Sequence, residues 1–180
     1  MKVDRASILM ASLLLGLTLS ATCSTVATAQ QAPDLIKPSR TSAMSERQIR
    51  DIFNAMATAT KQKDVDGIVK YMAPKIAIKM TLRLGKGSQQ LNLTREEYRQ
   101  YLEQGFTLVQ SYNSQYKNLK IQIASSGQTG TATYTLVEEA ILKGQPGTLV
   151  STSQETVKFE RIKGQILATA VTSTSTIVVK

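Results

Sequence analysis

The chain has 180 residues, of which 22 are Lys or Arg and 13 are Asp or Glu, for a formal net charge of +9. It contains no His, one Cys (Cys23) and no Gly-rich phosphate loop. Imidazole or multi-thiolate metal sites and Ser-His or Cys-His nucleophile systems are thereby excluded, so any acid–base work falls to Glu, Tyr or Lys.

Residues 1–29 read as a secretory leader. Lys2 and Arg5 open it, Ile8 to Leu19 is apolar, and Ala27-Thr28-Ala29 offers a small-x-small cleavage site. The apolar stretch is shorter than the roughly 20 residues a spanning helix needs, so no stable membrane span is expected. The product would be periplasmic or secreted. Cys23 has Thr22 and Ser20 where a lipoprotein signal wants a small residue and Leu, which makes lipid anchoring the lesser reading. Removing 29 of the 180 residues leaves 151 and no cysteine, and losing Lys2, Arg5 and Asp4 takes +9 to +8. A domain of that size buries about 68–70% of its unfolded surface and must hold together without disulfides. Its basic residues are scattered, which favours a solvated basic surface over nucleic-acid binding.

Residues 30–44 carry two prolines and no apolar period, and read as a flexible linker before a domain over 45–180. Ser45-Glu46-Arg47-Gln48 is a capping box. Ile49, Ile52, Phe53, Met56 and Thr60 then follow at helical spacing, predicting a helix from Glu46 to about Gln62. Asp64 resembles the N-cap of a second helix, with Val65, Ile68, Val69 and Met72 as its stripe and Pro74 as its stop. The Asp64-Val65-Asp66-Gly67 run invites a calcium reading. A calcium loop, however, wants Gly at its sixth place and Glu at its twelfth, where Val69 and Lys75 stand. Capping, with Asp66 complementing the helix dipole, is the better account.

Ile76, Ile78, Met80, Leu82 and Leu84 alternate with largely polar residues as a strand. Gly85 to Ser88 turns the chain and Gln89 to Leu93 returns. Thr94-Arg95-Glu96-Glu97, a second capping box, opens a third helix to about Gln110, along which Tyr98, Tyr101, Leu102 and Phe106 share a side. Four strands end the chain, Lys117 to Ala124, Thr129 to Lys143, Thr148 to Ile162 and Gln165 to Val179, separated by Gly- or Ser-bearing turns as in an antiparallel meander.

This α-α-β-β-α-β-β-β-β order resembles the nuclear transport factor 2-like superfamily, with its SnoaL-like and ketosteroid-isomerase-like branches. The resemblance rests on Ile49 to Lys61, on Asp64 to Met72, on Thr94 to Tyr98 and on Thr156 to Ile166, and spans roughly Ser45 to Ser175. It implies an α+β fold in which a cone-shaped curved antiparallel sheet wraps around three helices, with an apolar pocket and an outer face that often dimerises. Gln165-Ile166 depart from the family's usual Trp after the last turn's Gly. The enzymes of those branches rely on an inward Asp or His, whereas no Asp follows Asp66 here.

The strand carboxylates are Glu138, Glu139, Glu155 and Glu160. Parity puts Glu155 on the face of Val157 and Phe159, and Glu138 on that of Tyr134 and Leu136, with Glu139 and Glu160 facing out. Tyr134, Glu138 and Glu155 are the candidate catalytic or binding groups, with Met80 and Tyr98 as apolar walls. Alternatively each carboxylate sits solvated near a strand end. A buried Glu with a raised pKa can exchange protons near neutrality. The C-terminal Thr/Ser/Val run suits a flat strand that packs with another copy, so a homodimer through the sheet is expected. No metal or cofactor is implied. The leading reading is an exported, non-catalytic domain holding a small apolar or amphipathic molecule in its cone, and a cone filled by its own side chains would count against it. The alternatives are a cofactor-free isomerase, dehydratase or hydrolase with a Glu base, and a homodimeric assembly module.

Overall fold

The computed structural model describes residues 43–180, so the expected leader and nearly all of the expected linker lie outside the described residues. Met44, assigned above to that linker, is buried and donates its N–H to Gly127 O at 2.7 Å. The folded region therefore begins ahead of the capping box.

Ser45 and Gln48 form the box that starts α1 (Glu46–Lys61), whose buried stripe includes Ile49, Ile52, Phe53 and Met56. Asp64 caps α2 (Val65–Val69) by accepting from Gly67 N–H at 2.9 Å. A Cβ on Gly67 would collide with Asp64 Oδ2 and lie 2.8 Å from Ala59 Cβ, so the glycine lets α2 close onto α1. Asp66 pairs with Arg99 at 2.6 Å. All the functional-looking residues of this run are thus committed to punctuation and packing.

The second helix stops earlier than expected. Its C-cap is Lys70, and Pro74 lies inside β1 (Met72–Leu84) and not at a helix end. Pro74 occupies the stretch where the β1–β6 register shifts between Met72 and Ala77, which is where a strand tolerates a missing N–H. β2 (Gly87–Leu93) returns along β1, and Thr94 caps α3 (Arg95–Leu108). Arg95 Nε and Nη2 both donate to Val69 O, at 3.1 and 2.9 Å, fastening the start of α3 to the end of α2.

β3 (Val109–Ile123) follows α3 without a loop, so both the expected helix end at Gln110 and the expected strand start at Lys117 are corrected. β4 (Thr129–Leu142), β5 (Leu149–Ile162) and β6 (Gln165–Val179) complete one curved, open, six-stranded sheet in the order β2-β1-β6-β5-β4-β3. One pair, β1–β6, is parallel and the other pairs are antiparallel. The fold is α+β, with the helices on the concave side. Because β6 lies between β1 and β5, its backbone is paired on both sides, and the unpaired edges belong to β2 and β3. Edge pairing through the Thr/Ser/Val strand is therefore ruled out. The sheet's outer face carries exposed Thr172 and Thr176 on β6. Among the described residues no helix is long and apolar enough to cross a membrane.

Candidate functional site

The site is built by strand alternation on the concave face. Along β4, Tyr134, Leu136 and Glu138 are buried while Glu139 is exposed; along β5, Ser151, Ser153, Glu155, Val157 and Phe159 are buried while Glu160 is exposed. Cross-strand register then chooses the partners. Tyr134 lies opposite Glu155, Glu155 opposite Ser173, and Glu138 opposite Ser151.

These placements make two carboxyl stations. Glu155 accepts from Tyr134 Oη at 2.6 Å and from Ser173 Oγ at 3.2 Å. Glu138 Oε1 accepts from Tyr112 Oη at 2.6 Å. The second Glu138 oxygen, Oε2, is buried with no hydrogen-bond partner among the described residues. So are Ser151 Oγ, directly across the ladder, and Tyr116 Oη. Ser153 and Ser175 share a 2.7 Å bond that continues the polar vein toward Ser173.

Burial dominates the electrostatics. Desolvation lifts the Glu138 pKa well above its ordinary value; the nearby Glu155 charge adds to the rise, while Tyr112 and Ser151 oppose it. Ser151 stands close enough to act on the carboxyl, although its hydroxyl makes no bond of normal geometry to it. Glu155 is raised by the same desolvation, against Tyr134 and Ser173. Tyr98, Tyr116 and Tyr134 are pushed up first by burial and then by the Glu155 charge; Tyr101 and Tyr112 are pushed up first by burial and then by Glu138. Five tyrosines thus surround two carboxyls whose neutral form the site favours.

Above them sits Phe53 of α1. Its ring meets Tyr134 at 5.1 Å, Tyr116 at 5.7 Å and Phe159 at 6.0 Å between centroids, each edge to face. Phe53, Met56, Met72, Ile78, Tyr98 and Tyr134 are among the residues enclosing an apolar cavity of about 20 Å³. That is room for about one water, so the apolar half of the cone is packed core. Tyr98 lines this space, and Met80 is buried in the core beyond it. The anticipated apolar pocket is filled by its own side chains.

Of the five expected site residues, the structure joins Tyr134 to Glu155 directly and brings Glu138 and Tyr98 within their electrostatic reach. The residues that sequence reasoning missed are Tyr112 and Tyr116 on β3 and the serines Ser151 and Ser173. The available signal was the even spacing of Tyr112, Ser114 and Tyr116.

No family model matches the chain, and no curated protein matches its sequence. Solved structures do resemble it. A provisionally assigned scytalone dehydratase from Novosphingobium aromaticivorans superposes with a TM-score of 0.60 at 10% identity, over 72% of this chain and 82% of that one. A hexachlorocyclohexane dehydrochlorinase, LinA type 2, gives 0.59 at 10%, over 74% and 87%. An NTF2-like protein of unknown function from Pseudomonas putida gives 0.52 at 18%, over 73% and 88%. The fold is the nuclear transport factor 2-like cone. Its solved examples include proteins named as enzymes and proteins of unknown function, and identities this low establish the fold alone.

Proposed function

We propose that this protein binds a small neutral molecule by a carbonyl or hydroxyl group, at the concave face formed by Glu138, Tyr116 and Ser151. The observation that carries the reading is the set of three buried polar atoms left there without partners among the described residues, since native interiors pair such groups with protein, water or ligand. Glu138 in its neutral form can donate from one oxygen and accept at the other, and Tyr116 and Ser151 add further donors. Anionic head groups are disfavoured, because a second carboxyl stands nearby. The apolar space beside the site holds about one water, so a ligand with an apolar body requires side chains around it, among them Phe53 and Met56, to move. The leader-like features of residues 1–29 support an exported setting for it.

Native mass spectrometry of protein purified from its own host tests the reading, with a thermal-shift screen of neutral ketones and alcohols. The expected result is an adduct or a stabilising probe whose effect is lost in Glu138→Leu, which removes both donor and acceptor, or in Tyr116→Phe. An unliganded mass together with no probe that separates wild type from those variants would refute it.

The convergence of Glu155 with Tyr134, beside a second raised carboxyl, favours a second reading, acid–base catalysis on a bound carbonyl compound. That reading requires Glu155→Gln to abolish turnover of a bound probe while leaving its affinity intact.

A further inference from the structure

A second cleft lies away from the carboxyl cluster. The first turns of α1, the end of α2 and the β5–β6 turn enclose an open space of about 460 Å³, within the ordinary range for small-molecule sites. Ile52, Tyr71, Ile166 and Leu167 give it apolar walls, and Arg161 and Lys70 give it positive charge.

Arg161 is unusual among the cations of the described residues. Its Nη1 donates to Gly164 O at 2.9 Å, which fixes the guanidinium across the turn. Nε and Nη2 are buried and have no hydrogen-bond partner among the described residues. No carboxylate among those residues stands within ion-pair distance of Arg161, although Asp51 lines the same cleft. The Nε–Nη2 edge is the one that receives two oxygens of a carboxylate side by side, and burial makes leaving it empty costly. Lys70 Nζ stands 5.1 Å from the centre of the Tyr71 ring, adding charge at the same wall.

From this geometry we infer that the cleft binds an amphipathic monocarboxylate, with its carboxylate on the Arg161 fork and its hydrocarbon or aromatic body against Ile52, Tyr71, Ile166 and Leu167. The two cations outnumber the one acid in the lining. Asp51 disfavours more highly charged anions, which selects a carboxylate over a phosphate dianion. This site is distinct from the Glu138 station, where a neutral group is held.

The test is a titration of isotope-labelled full-length protein with sodium octanoate, followed by amide chemical shifts. Saturable shifts are expected at Tyr71, Gln165 and Ile166. Arg161→Gln should weaken binding about tenfold or more, and Arg161→Lys, which loses the fork, should also weaken it. Ile166→Glu, which places a carboxylate in the cleft without touching the Arg161 bond to Gly164, should abolish it even if Arg161→Gln does not fold. Glu138→Gln should leave octanoate binding unchanged. The inference is overturned if 1-octanol saturates the same amides equally well, if octyl phosphate binds more tightly than octanoate, if the shifts centre on Glu138, or if Ile166→Glu binds as wild type does.

Discussion

Raising the pH from about 5 to about 8 should destabilise this protein, and Glu138→Gln should remove a large part of that loss. Burial lifts the pKa of Glu138 and Glu155 above the ordinary 4.5, so the folded state keeps protons that the unfolded chain releases. Their contribution is fully present below the unfolded value and is lost as pH rises through the folded values. While one such group is protonated folded and ionised unfolded, stability falls by about 1.4 kcal/mol per pH unit, and by about 2.7 when both are. The window is unusually clean because the chain has no His. Glu97 has the opposite sign, since bonds to the Thr94 backbone and side chain lower its pKa, and its contribution is complete before the window opens. Burial pushes Tyr98, Tyr112, Tyr116 and Tyr134 up and away from it. Gln at position 138 keeps an acceptor for Tyr112 but cannot ionise. Urea denaturation at spaced pH values is the assay, and the Glu138→Gln, Glu155→Gln double variant should be nearly flat across the window. A wild-type curve that is level or rising, or a Glu138→Gln curve parallel to wild type, would refute the reasoning.

Gly67→Ala should cost about 1–3 kcal/mol in a urea melt, because the new methyl meets Asp64 and Ala59. Asp64→Ala should cost about 1 kcal/mol through the lost cap, and added calcium should leave the wild-type Tm unchanged; a calcium-dependent rise would restore the metal reading. Phe53→Ala should lose about 3–5 kcal/mol by guanidinium denaturation, since it empties the centre of the aromatic cluster. Tyr134→Phe should lose about 1–3 kcal/mol with its bond to Glu155, whereas Tyr116→Phe, whose hydroxyl has no partner among the described residues, should be neutral or stabilising by up to about 1 kcal/mol. Equal losses in those two variants would show that Tyr116 is bonded in solution.

The helix starts were legible because each is written in local chemistry. Ser45 with Gln48, Asp64 with Gly67, and Thr94 with Glu97 all make the bonds their spacing calls for. Stops were less legible. Pro74 reads as a helix terminator, but the chain had already left the helix at Lys70, and a register shift gave the proline a place in a strand. The parallel β1–β6 pairing has no local signature at all. It is decided by how the sheet closes over the helices, as is the central position of β6 that removes its edge.

The carboxyl stations divide in the same way. Glu138 and Glu155 were legible because their strands carry apolar neighbours at even spacing, and two-residue alternation fixes the face. Tyr112 and Tyr116 were not, because β3 changes parity within itself. Asn118 takes a positive φ of 57° and the register shifts between Lys117 and Lys120, so inward positions run Tyr112, Ser114, Tyr116 before the bulge and Leu119, Ile121, Ile123 after it. The later half announces a strand, whereas the sequence assigns no element to residues 111–116, between the expected helix end at about Gln110 and the expected strand start at Lys117. The inward residues of that stretch are polar or amphipathic because they face buried carboxyl groups, and Tyr112 bonds Glu138 directly. Strands are recognised by an apolar face; β4 and β5 keep one beside their carboxyls, with Leu136, Val157 and Phe159, whereas the inward positions of the first half of β3 have no aliphatic residue among Tyr112, Ser114 and Tyr116. The segment hardest to read from sequence is therefore the one whose side chains complete the site.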